Sequence, residues 1–102
     1  MQEQSIIIKH VENDGANGQS GEYVALMDGQ TPAGVLIWTQ RGDARVAEHT
    51  IVEPEFRGAG VAALLVDALI KDASSQGFTI VPQCTYVAKQ FQRHPEWADL
   101  LA

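Results

Sequence analysis

The chain has 102 residues, which suits one small domain spanning residues 1–102 rather than two. Its 45% hydrophobic and 20% charged residues are the make-up of a folded globular protein, and no apolar run is long enough for a membrane-spanning helix. Seven Lys and Arg against thirteen Asp and Glu give a net charge of -6, the wrong sign for a nucleic-acid backbone binder and a fit for a cationic small molecule or basic peptide.

Met1-Gln2-Glu3-Gln4 has neither a basic n-region nor an apolar stretch, so no secretory signal is expected. Residues 5–11 and 22–27 are apolar and flank a segment, residues 13–21, that holds three glycines and two asparagines. That segment predicts a long hairpin connection. Asp28-Gly29 predicts a tight turn. Residues 34–39 (Gly-Val-Leu-Ile-Trp-Thr) read as a central strand buried on both faces. After a turn at Arg41-Gly42-Asp43, residues 45–52 read as a fourth strand. Simple alternation puts Arg45, Ala47, His49 and Ile51 on one face and Val46, Glu48, Thr50 and Val52 on the other.

From Gly60 the period changes. Val61, Leu64, Leu65, Ala68 and Leu69 follow helical spacing, Asp67, Lys71 and Asp72 take the polar face, and Gly77 suits the C′ position, so a helix is expected over residues 60–76. Residues 78–81 read as a short buried strand stopped by Pro82, residues 86–93 as weakly helical, and Pro95 as the start of a last short helix. The fold class is therefore α/β (α+β). It is a mixed, mostly antiparallel sheet of about five strands, with a central helix after the fourth strand and helices at the C-terminus. His10 is expected to be exposed at the end of the first strand, and the open edge of that strand leaves both monomer and homodimer possible.

The stretch richest in chemistry is Glu55-Phe56-Arg57-Gly58-Ala59-Gly60-Val61-Ala62, between a strand and an amphipathic helix. Its glycines let a ligand approach the main chain, the N–H groups and dipole of the helix start favour an anion, and Arg57 adds positive charge. The combination forms a pyrophosphate cradle, though neither the Walker pattern nor the full Gly-x-Gly-x-x-Gly fingerprint is present. The plainer alternative is a helix-entry loop kept small for close packing. Cys84, the single cysteine, has no disulfide partner and fits a reducing cytoplasm, and the scattered His10, His49, His94 and Cys84 show no metal-ligand spacing.

Arg57-x-x-Gly60-x-Ala62 resembles the Arg/Gln-x-x-Gly-x-Gly/Ala motif of the GNAT superfamily of N-acetyltransferases, and it stands where that family has it, between the fourth strand and the following helix. The chain is most similar to a small, short-chain subgroup that carries a Pro-x-Cys-x-Tyr-Val segment, here Pro82-Gln83-Cys84-Thr85-Tyr86-Val87. The tail His94-Pro95-Glu96-Trp97-Ala98-Asp99-Leu100 extends the likeness over roughly residues 5–101. A typical superfamily member has two helices between its first two strands. This chain has only the Gly/Asn segment, so the resemblance implies an open acceptor side.

The resemblance implies acetyl-CoA as cosubstrate and a primary amine of unidentified nature as acceptor, and with no metal-ligand spacing in the sequence no metal is expected. The pyrophosphate would rest on Arg57, Gly58, Ala59, Gly60, Val61 and Ala62, and the pantetheine would pair like a strand near Ile51 and Val52. Lys89 and Arg93 are candidates for the adenosine phosphate end, or a solvated helix face. A lysine-like amine, with a pKa of about 10.4, must lose a proton before it attacks. His49 is the candidate base, or a strand histidine bonded for packing. Its neighbour Glu48 is expected on the opposite face, with only one of the two lining the site, while Glu53 and Glu55 could attract a cation. Cys84 is a candidate nucleophile that takes the acetyl group first, or simply a small residue of a type that is often buried. Tyr86 is a candidate proton donor to the departing CoA thiolate, or a packing aromatic. The rival readings are a CoA-binding module without turnover, acting as a sensor or interaction partner, and a structural domain whose glycine loop holds nothing.

Overall fold

Four long strands fold back on one another in chain order before the first long helix crosses over them. A computed structural model describes residues 5–15 and 18–102, so the expectation for residues 1–4 lies outside the described residues. The strands are β1 (Ile6–Gly15), β2 (Gly18–Met27), β3 (Thr31–Arg41), β4 (Ala44–Val52) and β5 (Thr79–Pro82), with helices α1 (Val61–Gln76) and α2 (Thr85–Arg93). Short 3-10 turns occupy Pro54–Phe56 and Pro95–Leu100. The sheet order is β1-β2-β3-β4-β5, antiparallel except for the parallel pair β4–β5 that α1 connects. This matches the expected architecture, with the 3-10 turn at Pro54–Phe56 as an added element.

The first hairpin is tighter than composition suggested. Asn13, Asp14 and Gly15 pair with Ser20, Gln19 and Gly18, so most of the expected loop is strand and only residues 16–17, outside the described residues, lie between. Backbone ladders need no apolar side chains, so pairing continues through polar residues. The interval between the first two strands therefore contains no helix among the described residues. At the second hairpin, Asp28 (φ 53°) and Gly29 (φ 72°) are both left-handed, and the Gln30 N–H donates to the Met27 carbonyl at 3.0 Å, the type I′ geometry that Asp-Gly favours.

α1 covers one face of the sheet. Leu36 and Trp38 of β3 are fully buried beneath it with Tyr23 and Ala25 of β2, while Val35 and Ile37 on the other face are only half-buried. β3 is thus central but not buried on both sides, because the helix packs on one side alone. Two glycines admit close approaches. A Cβ on Gly34 would lie 2.8 Å from Val61 Cγ1, so its absence lets the first turn of α1 settle on β3, and a Cβ on Gly21 would lie 2.5 Å from Trp38 Cζ2.

A bulge in β4 overturns simple alternation. Ile37 pairs with His49 but Trp38 pairs with Ala47, which leaves Glu48 as an extra residue. Before it, Arg45 and Ala47 face α1. After it, Thr50 and Val52 do, and His49 and Ile51 turn to the other face. The expected grouping of Arg45, Ala47, His49 and Ile51 therefore breaks at this point.

A polar cluster sits in the core on the α1 side. Arg45, 4% exposed, donates to the Tyr23 hydroxyl at 2.7 Å and to Glu12 at 3.1 Å, with its guanidinium 4.0 Å from the Trp38 ring and 4.1 Å from the Phe78 ring. The Tyr23 hydroxyl in turn donates to Asp72 at 2.7 Å. Its ionisation is strongly disfavoured, first by burial and then by the bonded Asp72. Asp72 was expected on the solvated face of α1, and it turns inward to this bond instead. His10 was expected to be exposed. The register puts it opposite Tyr23, on whose ring it stacks at 4.2 Å. The Trp38 indole, which can only donate, gives its N–H to His10 Nε2 at 3.1 Å, so that nitrogen carries no proton.

The chain closes over β5. The Ala102 N–H donates to the Ile80 carbonyl at 2.9 Å, and Trp97 packs edge-to-face on Phe91 at 5.7 Å, as expected for a core cap. Among the described residues no helix is long and apolar enough to cross a membrane.

Candidate functional site

Local backbone chemistry builds the turn before α1. Pro54 ends β4 and opens a 3-10 turn, and the Arg57 and Ala59 N–H groups bond back to Pro54 and Phe56, both at 3.3 Å. Gly58 (φ 87°) and Gly60 (φ 82°) then adopt left-handed conformations that side chains resist. A Cβ on either glycine would meet nothing within 4 Å, so these glycines serve the backbone path and not close packing. No side chain caps α1. Its first backbone bond is Leu64 N–H to Gly60 O, so the N–H groups of Val61, Ala62 and Ala63 precede the helical ladder.

A cleft of about 310 Å³ lies against this uncapped end. Arg57, Gly58, Gly60, Val61 and Ala62 line it, as do Val52 and Tyr86, whereas Ala59 does not. Phe56 and Ala63 complete it and were not singled out from the sequence.

β4 and β5 pair only from Ala44↔Thr79 to Ala47↔Pro82. After that the Cys84 N–H caps the Ala47 carbonyl at 2.8 Å and the chain turns into α2, leaving residues 48–52 of β4 with no strand partner on that side among the described residues. A second cleft, of about 410 Å³, opens at this gap and is lined by Glu48, His49, Thr50, Ile51, Gln83, Cys84 and Thr85. Val52 and Tyr86 belong to the first cleft, and their immediate neighbours Ile51 and Thr85 to the second. The two clefts are thus lined by consecutive residues of β4 and of the segment that opens α2.

His49 and Cys84, separate in sequence, share the second cleft, and Tyr86 stands at the first. Because of the bulge, Glu48 lines the cleft together with His49 rather than facing away, and it accepts a bond from the Thr39 hydroxyl at 3.2 Å. Cys84 is the N-cap residue of α2, and its sulfur lies 3.5 Å from Thr50 Oγ1. Burial pushes the Cys84 thiol up, but hydrogen bonds from the Thr50 hydroxyl and from the N–H groups of Val87, Tyr86 and Thr50 outweigh it and hold the thiol below its usual value. Thr50 lines the cleft although sequence reasoning did not select it, since alternation alone turns it away. Glu53, Glu55, Lys89 and Arg93 are exposed and line neither cleft. Among the described residues no three His, Cys, Asp or Glu side chains gather as metal ligands.

Residues 22–100 match the model described as GCN5-related N-acetyl-transferase. The chain belongs to that family. As a member, it shares its fold with solved acetyltransferases of low identity. A ribosomal-protein-alanine N-acetyltransferase from Brucella melitensis biovar Abortus is 21% identical with a TM-score of 0.57, the match covering 72% of this chain and 61% of that one. An IAA acetyltransferase from Bacillus cereus is 15% identical with a TM-score of 0.62, over 90% and 75%. The aminoglycoside N-acetyltransferase AAC(6')-Iy, solved in complex with CoA, is 14% identical with a TM-score of 0.60, over 95% and 89%. This family member therefore spans about three fifths of the Brucella enzyme and nearly all of the aminoglycoside enzyme.

Proposed function

We propose that the protein is an acetyl-CoA-dependent N-acetyltransferase that moves an acetyl group to a primary amine. One observation carries the reading: an uncapped helix N-terminus with two side-chain-free glycines opens directly onto a stretch of β4 that, among the described residues, has no strand partner on its β5 side. In this reading Arg57, Gly58, Ala59, Gly60, Val61 and Ala62 hold the diphosphate of CoA, and the free edge at Ile51 and Val52 pairs with the pantetheine amides. Lys89 and Arg93 offer two cations a helical turn apart for the adenosine phosphate end. The residues fit such a ligand, since among the described residues nothing fills the space above Gly58 and Gly60.

Acetyl-CoA supplies the acetyl group as a thioester. His49 takes the proton from the amine, and Tyr86 returns one to the departing thiolate. The Pro82–Val87 segment, which resembles that of the small short-chain subgroup, brings Cys84 to the same cleft as His49. Its lowered thiol supports a route in which Cys84 accepts the acetyl group before the amine does. An excess of acidic residues and Glu48 in the cleft favour a cationic acceptor. The structural relatives named for a ribosomal-protein alanine and an aminoglycoside also act on amines. A free single cysteine fits a cytoplasmic setting.

The test is calorimetric titration with acetyl-CoA, followed by thiol release in the presence of polyamines, lysine peptides and small amines. Saturable binding with amine-dependent thiol release is expected. Binding without release across the panel identifies a CoA-binding module, and no binding at millimolar acetyl-CoA refutes the reading altogether. In Cys84→Ala, lost turnover with retained affinity assigns the covalent route, and full turnover assigns direct attack.

A further inference from the structure

We infer that Thr50 is a positioning residue for the Cys84 sulfur, its hydroxyl accepting from the thiol across the gap and turning to donate once the thiol ionises, and that the one-residue bulge at Glu48 brings it there. Regular alternation from Ala47 would send His49 to the α1 face and Thr50 away from it. The extra residue reverses this, so Thr50 pairs with Leu36 on the α1 face and reaches Cys84 at 3.5 Å, while His49 pairs with Ile37 on the other. The two residues come from segments 34 positions apart, and nothing local to either dictates the contact.

The chemistry of the cleft makes the hydroxyl matter. A thiolate needs either a cation or hydrogen-bond donors beside it. Among the described residues no Lys or Arg lines this cleft, and its other ionisable side chains, both from β4, are Glu48 and His49. From α2, Tyr86 turns to the neighbouring cleft. The groups that favour a thiolate here are the Thr50 hydroxyl, whose oxygen lies 3.5 Å from Sγ, and the nearby N–H groups of Thr50, Tyr86 and Val87. The N–H groups survive any substitution, so the hydroxyl is the part that mutation can remove.

The inference rests on the transferase reading for its purpose, but its test reads the thiol and not the transfer. Cys84 is the only cysteine, so iodoacetamide alkylation reports on it alone. The alkylation rate is measured against pH for wild type, Thr50→Val, Thr50→Ala and Thr50→Ser. In Thr50→Val and Thr50→Ala the midpoint moves up by about one pH unit, a roughly tenfold fall in the thiolate-to-thiol ratio at fixed pH. Thr50→Ser, which keeps the donor, stays near wild type. An unmoved midpoint in the Val and Ala variants overturns the inference, as does a Ser variant that moves as far as they do. Thr50→Ala keeps the test decisive if the Val variant does not fold. Failure of acetyl-CoA to bind would sink the transferase reading and leave these titrations standing.

Discussion

Arg45→Ala tests whether the polar cluster under α1 anchors the first hairpin to the rest of the fold. The guanidinium lies between two rings at 4.0 and 4.1 Å, each desolvated cation–π contact contributing about 0.5–2 kcal/mol. It also donates to Tyr23 and Glu12, and hydrogen bonds to charged groups contribute about 1.5–3 kcal/mol each. These contributions overlap, because Glu12 is half-hydrated and the same side chain makes every contact. The net loss should be about 3–5 kcal/mol, the range seen when one partner of a buried pair is removed. For a domain of this size, with a total stability of about 5–15 kcal/mol, the melting temperature should fall by at least about 12 °C. Arg45→Met, which keeps an unbranched apolar chain to fill part of the space between the rings, should lose roughly half as much. The measurement is thermal and urea unfolding followed by Trp fluorescence, Trp38 being a direct contact. A fall below about 5 °C in Arg45→Ala would refute the reasoning. Arg45 and Val52 are seven residues apart on β4, roughly 23 Å at strand rise, so acetyl-CoA affinity should be unchanged below the variant's melting point.

His10 should make stability pH-dependent. Burial first, and the Arg45 charge second, hold its pKa below the ordinary 6.5, against the opposing pull of Asp72 and Glu12. Below pH 6.5 the unfolded chain therefore binds the proton more readily, and this contribution to stability, full above 6.5, is lost as pH falls through the window beneath it. The melting temperature should drop more steeply below pH 6.5 in wild type than in His10→Gln, and equal slopes would contradict the assignment. Gly60→Ala forces a side chain into a left-handed residue and should cost about 1 kcal/mol of stability without a clash. Acetyl-CoA affinity measured well below the melting point should fall at least tenfold, because the added methyl projects into the open space beside the helix start that the proposed diphosphate would occupy. Unchanged affinity would remove that turn from the binding site.

Much of the fold and part of the site can be read from residue types because their causes are local. Left-handed glycines at 58, 60 and 77, the Asp28-Gly29 turn, and the helical spacing from Val61 onward answer to neighbours a few residues away. The nitrogen groups that line the helix start follow from the same local signals. Other features depend on which strand lies beside which. The bulge at Glu48 exists only against β3, and it alone decides that Thr50 and not His49 meets Cys84. Likewise, His10 and Asp72 look like surface residues until the register and the helix crossing set them beside Tyr23. The gap beyond Ala47↔Pro82 is of the same kind: it arises where a parallel strand stops and a helix begins, a partner's ending that β4's own residues do not encode.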